Sequence, residues 1–206
     1  MRLGIFGGSF DPVHYGHLLL AENCREACNL DRVWFLPAFT PPHKQNQRLA
    51  TANQRVDMLH LAIAGHSAFD VSTLEIERGG VNYTADTLET IAQQNPEATL
   101  FFLMGADSLA EFPTWRDPQR ILAAAIPIVV RRSGSPEPDF RLLDGLVEKS
   151  RMELILQHQV ESPLIELSSS DLRDRRARGL SIRYRTPRAV EKYLQAQRLY
   201  RTPDAE

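Results

Sequence analysis

The first thirty or so residues admit few folds. Residues 3–6, Leu3 to Phe6, are a short apolar run of the buried-strand kind. Gly7 and Gly8 follow, then Asp11-Pro12, a turn-forming pair. From Tyr15 the pattern turns helical, through Leu18, Leu19, Ala21, Glu22 and Arg25, until Asn29. Residues 32–36 read as a second buried strand that ends at Pro37. Two strands joined through a helix imply a parallel pair, because parallel neighbours need a crossover. The expected fold is therefore α/β: a doubly wound, Rossmann-like parallel sheet with helices on both faces and a small helical part at the C-terminal end. In such sheets ligands bind at the carboxyl ends of the strands.

The chemistry at that first junction points to phosphate. Gly7 and Gly8 lack a Cβ, which lets a bulky anion reach the backbone N–H groups. The open N–H groups and the dipole of the following helix favour negative charge. His14 and His17 bracket the helix start and can face the same anion, donating a hydrogen bond when neutral or adding charge when protonated. Two histidines three apart could also be half of a metal site, though no nearby Cys, Asp or Glu obviously completes one.

Further along, Leu167-Ser168-Ser169-Ser170-Asp171-Leu172-Arg173 again reads strand, hydroxyl-rich turn, helix. The serines can cap that helix or hold phosphate oxygens, with Arg173 one turn in to bind charge. The apolar strand over 99–104 runs into Gly105-Ala106-Asp107, where the carboxylate can hold ribose hydroxyls or a magnesium-bound water, or cap the next helix. Thr84 is read as the N-cap of a helix over 85–94, whose first N–H groups could hold a carboxylate. Trp115, between polar turns, either covers the core or stacks on an aromatic substrate.

Gly7-Gly8-Ser9-Phe10-Asp11-Pro12-Val13-His14-Tyr15-Gly16-His17 resembles the signature of the HxGH nucleotidyltransferase superfamily, in the form found in bacterial nicotinate-nucleotide adenylyltransferases. The resemblance runs from Gly7 to Tyr193 with its motifs in the expected order. It implies transfer of AMP from ATP to nicotinate mononucleotide, giving nicotinate adenine dinucleotide and pyrophosphate, with a preference for nicotinamide mononucleotide, or nucleotide binding without catalysis, as the alternatives. It implies ATP binding by Gly7, Gly8, Ser9, Phe10, His14, His17, Gly105, Asp107, Ser169, Ser170 and Arg173, with His14, His17 and Arg173 catalytic. It places Lys44, Thr84, Asp107, Trp115 and Arg116 with the mononucleotide: Lys44 on a Pro-Pro-His-Lys loop, Thr84 chiefly through its backbone, Trp115 against the pyridine ring. Mg2+ is expected on the ATP phosphates, with no protein metal site. Ser170 replaces the usual threonine and keeps its hydroxyl, and Asn82 replaces the more usual serine.

With 206 residues, 43% of them hydrophobic and 24% charged, the chain is expected to form one domain over 1–206, with 168–206 a helical subregion carrying the second ATP motif. A formal charge of -2 argues against nucleic acid as a partner. The Arg-rich stretch over 173–188 is a local exception, read as a solvated or subunit-facing surface that leaves a homo-oligomer open. Cys24 and Cys28 lie on one helix face and are read as buried, reduced thiols, which suits a cytoplasmic protein with no disulfide framework. No signal-like segment and no membrane-length apolar run is read, so no membrane partner is expected. The remaining elements are a helix over 51–64 with Ala52, Val56, Leu59 and Ile63 inward and Arg55 off that stripe, a strand over 69–76 with Glu75 and Glu77 on a wet face, a helix over 142–149, and strands over 152–156 and 164–167.

Overall fold

The computed structural model describes residues 1–40 and 49–201. The chain runs β1 (Arg2–Gly8), α1 (Tyr15–Ala27), β2 (Arg32–Pro37), α2 (Ala52–Ile63), β3 (Phe69–Val71), α3 (Leu74–Arg78) and α4 (Thr84–Gln94). It continues through β4 (Thr99–Gly105), α5 (Ala106–Glu111), a 3-10 turn (Phe112–Thr114), α6 (Pro118–Ala124) and β5 (Ile126–Arg132). A second 3-10 turn (Phe140–Leu143), α7 (Lys149–Gln157), β6 (Gln159–Ser162), α8 (Ser169–Ala177) and α9 (Arg188–Ala196) complete it.

The strands form one sheet in the order β3-β2-β1-β4-β5-β6, and every neighbouring pair is parallel. This is the doubly wound order. The chain leaves β1 toward β2 on one side and returns at β4 on the other, so the crevice lies where the carboxyl ends of β1 and β4 part. The central strands are covered on both faces: Leu3 and Ile5 of β1, Leu100 to Met104 of β4 and Ile126 to Val130 of β5 are all buried. That is why these strands read as unbroken apolar runs rather than as alternation. Cys24 and Cys28 are buried free thiols beneath α1.

Several expected elements differ. The strand expected over 69–76 stops at Val71, and Leu74–Arg78 is a short helix. Met152 to Leu156 lie inside helix α7, and the last strand is Gln159–Ser162, not 164–167. β6 is a short edge strand whose Val160 and Ser162 point inward while Gln159 and Glu161 face water. Of the helix expected over 142–149, a 3-10 turn ends at Leu143 and the next helix, α7, starts only at Lys149. In α2 the buried residues are Arg55, Met58, Leu59 and Ile63, so Arg55 lies on the inward face. Among the described residues no helix is long and apolar enough to cross a membrane.

Candidate active site

The junction after β1 is built by close packing. Gly7 and Gly8 are still strand residues, and the turn begins at Ser9. A Cβ on Gly8 would stand 2.9 Å from the ring of Phe10, so glycine there admits that ring. Phe10 is buried (1% exposed), with its ring against Phe6, Phe35 and His17. What Phe10 can offer a ligand is therefore its backbone. His14 is the N-cap of α1, and its ring stacks on His17 with centroids 3.7 Å apart. His17 Nδ1 accepts from the His14 backbone N–H at 3.2 Å. A Cβ on Gly16 would lie 3.1 Å from His14 Cε1 and Nδ1, which explains the glycine between the two histidines.

His14 Nδ1 is buried and has no hydrogen-bond partner among the described residues. Burial pulls the His14 pKa from 6.5 down to about 4. The unfolded chain therefore binds a proton at this position between pH 6.5 and 4 that the folded chain refuses. Stability should be full above pH 6.5 and fall by about 3 kcal/mol as pH drops through that window. Calorimetry should find that His14→Gln loses less of its thermal midpoint than wild type between pH 6.5 and 4.5. An equal loss in both would contradict a buried neutral ring.

Two cavities open on either side of the β1 end, and Ser9 lines both. The first, about 370 Å³, has His14, Gly16 and His17 on one wall, Gly105, Ala106 and Asp107 on another, and Ser168, Ser169 and Ser170 on a third. The serines belong to the start of α8. The Ser168 hydroxyl caps it by accepting from the Asp171 N–H at 3.1 Å, and the Ser169 hydroxyl donates to the Pro12 carbonyl at 2.9 Å. That second bond ties the C-terminal motif to the first turn across 157 residues of sequence. The first cavity thus offers two imidazoles, hydroxyls and a helix start, the groups that hold phosphate oxygens.

The second cavity, about 310 Å³, is different in kind. Its walls include Gly7, Gly8, Thr84, Leu88, Phe102 and Trp115. Trp115 is partly buried and meets Phe102 edge-on at 6.1 Å. Thr84 is the first residue of α4, not its cap. The N-cap is Tyr83, which makes no side-chain capping bond. The first turn of α4, at Thr84 and Thr87, lines this cavity beside Leu88, Phe102 and Trp115. Arg120 of α6 donates to Asp86 at 2.8 Å and to Glu89 at 2.6 Å on α4, a tie that holds the Trp115 segment against that helix.

The structure thus gathers Ser9, His14, His17, Gly105, Asp107, Ser169 and Ser170 around one cavity and Gly7, Gly8, Thr84 and Trp115 around the other. Arg173 lines neither, but its Nη2 lies 3.3 Å from the Ser170 hydroxyl and its Nη1 donates to the Asp11 carbonyl at 2.8 Å. Arg116 is exposed and lines neither; its guanidinium lies 4.2 Å over the Tyr83 ring at the rim. Lys44 lies outside the described residues. Sequence reasoning missed Arg132, at the carboxyl end of β5, on the first cavity. It also missed Glu75, which is buried on the wall of the second and takes the Thr87 hydroxyl at 2.9 Å; burial pushes its carboxyl pKa up. Only a position at a strand end could have signalled Arg132, and nothing in the Leu-Glu-Ile-Glu alternation could have signalled Glu75.

A cytidylyltransferase-like family model matches residues 5–175. A probable nicotinate-nucleotide adenylyltransferase of Rhodopirellula baltica is 42% identical over 199 residues, covering 97% of this chain and 93% of the relative. One of Thermomicrobium roseum is 44% identical over 204 residues, covering 99% and 94%. The chain belongs to the nicotinate-nucleotide adenylyltransferase family. Its fold is also that of a solved Plasmodium falciparum nicotinic acid mononucleotide adenylyltransferase complexed with NaAD, with a TM-score of 0.73, 18% identity and 97% of each chain covered. In this member of the family the histidine-bearing and serine-bearing motifs, far apart in sequence, share one cavity wall to wall.

Proposed function

We propose that the protein transfers AMP from ATP to nicotinate mononucleotide, releasing pyrophosphate and forming nicotinate adenine dinucleotide. One observation carries this reading: two cavities of unlike chemistry meet at Ser9, one furnished for phosphates and one for an aromatic ring bearing a carboxylate. A phosphate oxygen of the mononucleotide attacks the α-phosphorus of ATP, the bond from that phosphorus to the β-phosphate oxygen breaks, and pyrophosphate leaves. The nucleophile belongs to the substrate, so the protein's part is to position and to stabilise charge.

His17, with His14 beside it, donates to the oxygens of the α-phosphate. Ser169, Ser170 and Arg173 hold the pyrophosphate side, and Asp107 faces the nucleotide. Trp115 stacks on the pyridine ring while the start of α4 takes the nicotinate carboxylate, and Lys44 holds the mononucleotide phosphate. Among the described residues Asp107 is the one carboxylate on the wall of the first cavity. A Mg2+ ion carried by the ATP phosphates would have Asp107 as the carboxylate near it, which fits an ion that keeps most of its water ligands. When bound, such an ion neutralises charge on the triphosphate.

The experiment is pyrophosphate release with ATP and either nicotinate or nicotinamide mononucleotide. The kcat/KM for nicotinate should exceed that for nicotinamide by about 100-fold, since an amide cannot supply the charge that the helix start favours. Release with neither acceptor would remove the proposed reaction, and an equal kcat/KM for both would remove the carboxylate assignment.

A further inference from the structure

Behind the phosphate cavity lies a carboxylate that none of the roles above employs. Asp11 is fully buried, at 0% exposure. Its Oδ1 accepts from the Ala50 backbone N–H at 3.0 Å and from the Tyr200 hydroxyl. Its Oδ2 has no hydrogen-bond partner among the described residues, and Arg173 Nη1 stands 3.7 Å from it. The same Nη1 donates to the Asp11 carbonyl oxygen at 2.8 Å. One residue therefore takes a phenol on one side and the guanidinium of the second motif on the other.

Tyr200 does not reach Asp11 by continuing a helix. It lies beyond α9, after a bend in which Arg198 and Tyr200 themselves hold φ of +52° and +59°. Non-glycine residues hold such left-handed values only where the surroundings enforce them. Arg176, itself buried, helps to enforce this bend by donating to the Leu194 carbonyl at 2.9 Å and the Leu199 carbonyl at 3.2 Å. Burial and the neighbouring carboxylate push the Tyr200 phenol pKa up, which keeps it a neutral donor. Arg55 supplies the other nearby cation; its guanidinium is engaged by the Ser9 and Phe39 carbonyls at 2.9 and 3.0 Å.

We infer that Tyr200 is a positioning residue for Arg173: its hydroxyl fixes the Asp11 carboxylate, and Asp11 fixes the guanidinium. A buried carboxylate is costly unless it is paired and hydrogen-bonded. With Oδ1 taken by Ala50 and Tyr200, Oδ2 stays 3.7 Å from Arg173 Nη1, which is fixed instead by the Asp11 carbonyl, and Nη2 is left to the Ser170 hydroxyl beside the phosphate cavity. Without the phenol the carboxylate swings to take Arg173 directly and draws it off the pyrophosphate side. This inference rests on the role given to Arg173 above.

The test is a double-mutant cycle read in kcat for dinucleotide formation. Tyr200→Phe alone should lower kcat by about 10-fold, the worth of one hydrogen bond to a buried charge, with the KM for nicotinate mononucleotide unchanged. In an Arg173→Ala background the same change should cost less than about 2-fold, because the route through Arg173 is already cut. Should Arg173→Ala fail to fold, Arg173→Lys serves as the background, since it keeps the cation beside Asp11 and removes the fork. An equal penalty for Tyr200→Phe in both backgrounds, no penalty in the wild-type background, or a rise in mononucleotide KM at constant kcat would each overturn the inference. Full activity of Arg173→Ala is a separate result, and it would overturn the role given to Arg173 itself.

Discussion

Replacing His17 by alanine is expected to lower kcat for dinucleotide formation by about 1,000-fold, the upper range for loss of one donor to a developing oxyanion. The local geometry dictates this size. His17 Nδ1 accepts a hydrogen bond from the backbone N–H of His14, so it carries no hydrogen of its own and the ring's hydrogen sits on Nε2. The ring is stacked on His14 at 3.7 Å and lies edge-on to Phe10 at 5.1 Å, so its direction is set before substrate arrives. A donor fixed in advance needs no reorganisation as charge builds at the α-phosphate. The loss should fall on kcat more than on the KM for ATP, because the contact strengthens in the transition state. His17 is only partly buried, so the thermal midpoint should move little. Steady-state pyrophosphate release measures the effect; a wild-type rate would take His17 out of the chemistry.

The second large effect is on stability. Arg55→Ala is expected to cost about 3–5 kcal/mol in urea unfolding, the usual loss when one member of a buried charge arrangement is removed. Arg55 is 1% exposed, and its guanidinium donates to the carbonyls of Ser9 and Phe39. It thereby pins the phosphate turn to the segment after β2, and its charge balances the buried Asp11 carboxylate. Alanine would strand two carbonyls, remove a cation near that carboxylate, and leave a void under the site. A loss below about 1 kcal/mol, the range of exposed ion pairs, would mean that water reaches this cluster and that the turn is not held from behind.

Arg55 also marks the limit of what the sequence discloses. On α2 a period-3.6 stripe drawn through apolar residues alone passes through Ala52, Val56, Leu59 and Ile63, and an arginine beside it reads as solvated. The structure buries it because carbonyls and a carboxylate from distant segments converge there, and no local pattern announces that convergence. The central strands were legible because burial on both faces leaves continuous apolar runs. α3 was not: Leu74-Glu75-Ile76-Glu77 alternates with period two like a half-wet strand, and a helix of five residues is too short for its own period to appear. Met152 to Leu156 posed the same ambiguity in reverse, an apolar run that fits a strand or one face of a helix. At the site, the types of the histidines and serines suggest a phosphate site in the sequence, and the structure brings them to one cavity. The reason for Gly16 was not, because the His14 ring that it admits is visible only in three dimensions. Tyr200 and Asp11 were silent for the same cause: their contact spans 189 residues.

The claim beneath all of these roles is that the acceptor's own phosphate attacks ATP, with the protein supplying position and charge. The stereochemical course at the α-phosphorus tests it most directly, using a single diastereomer of adenosine 5′-O-(1-thiotriphosphate) with nicotinate mononucleotide and assigning the product by phosphorus NMR. One in-line displacement predicts inversion at phosphorus. Retention would require two displacements through an adenylylated side chain, and would contradict a site in which two cavities meet so that the substrates react with each other.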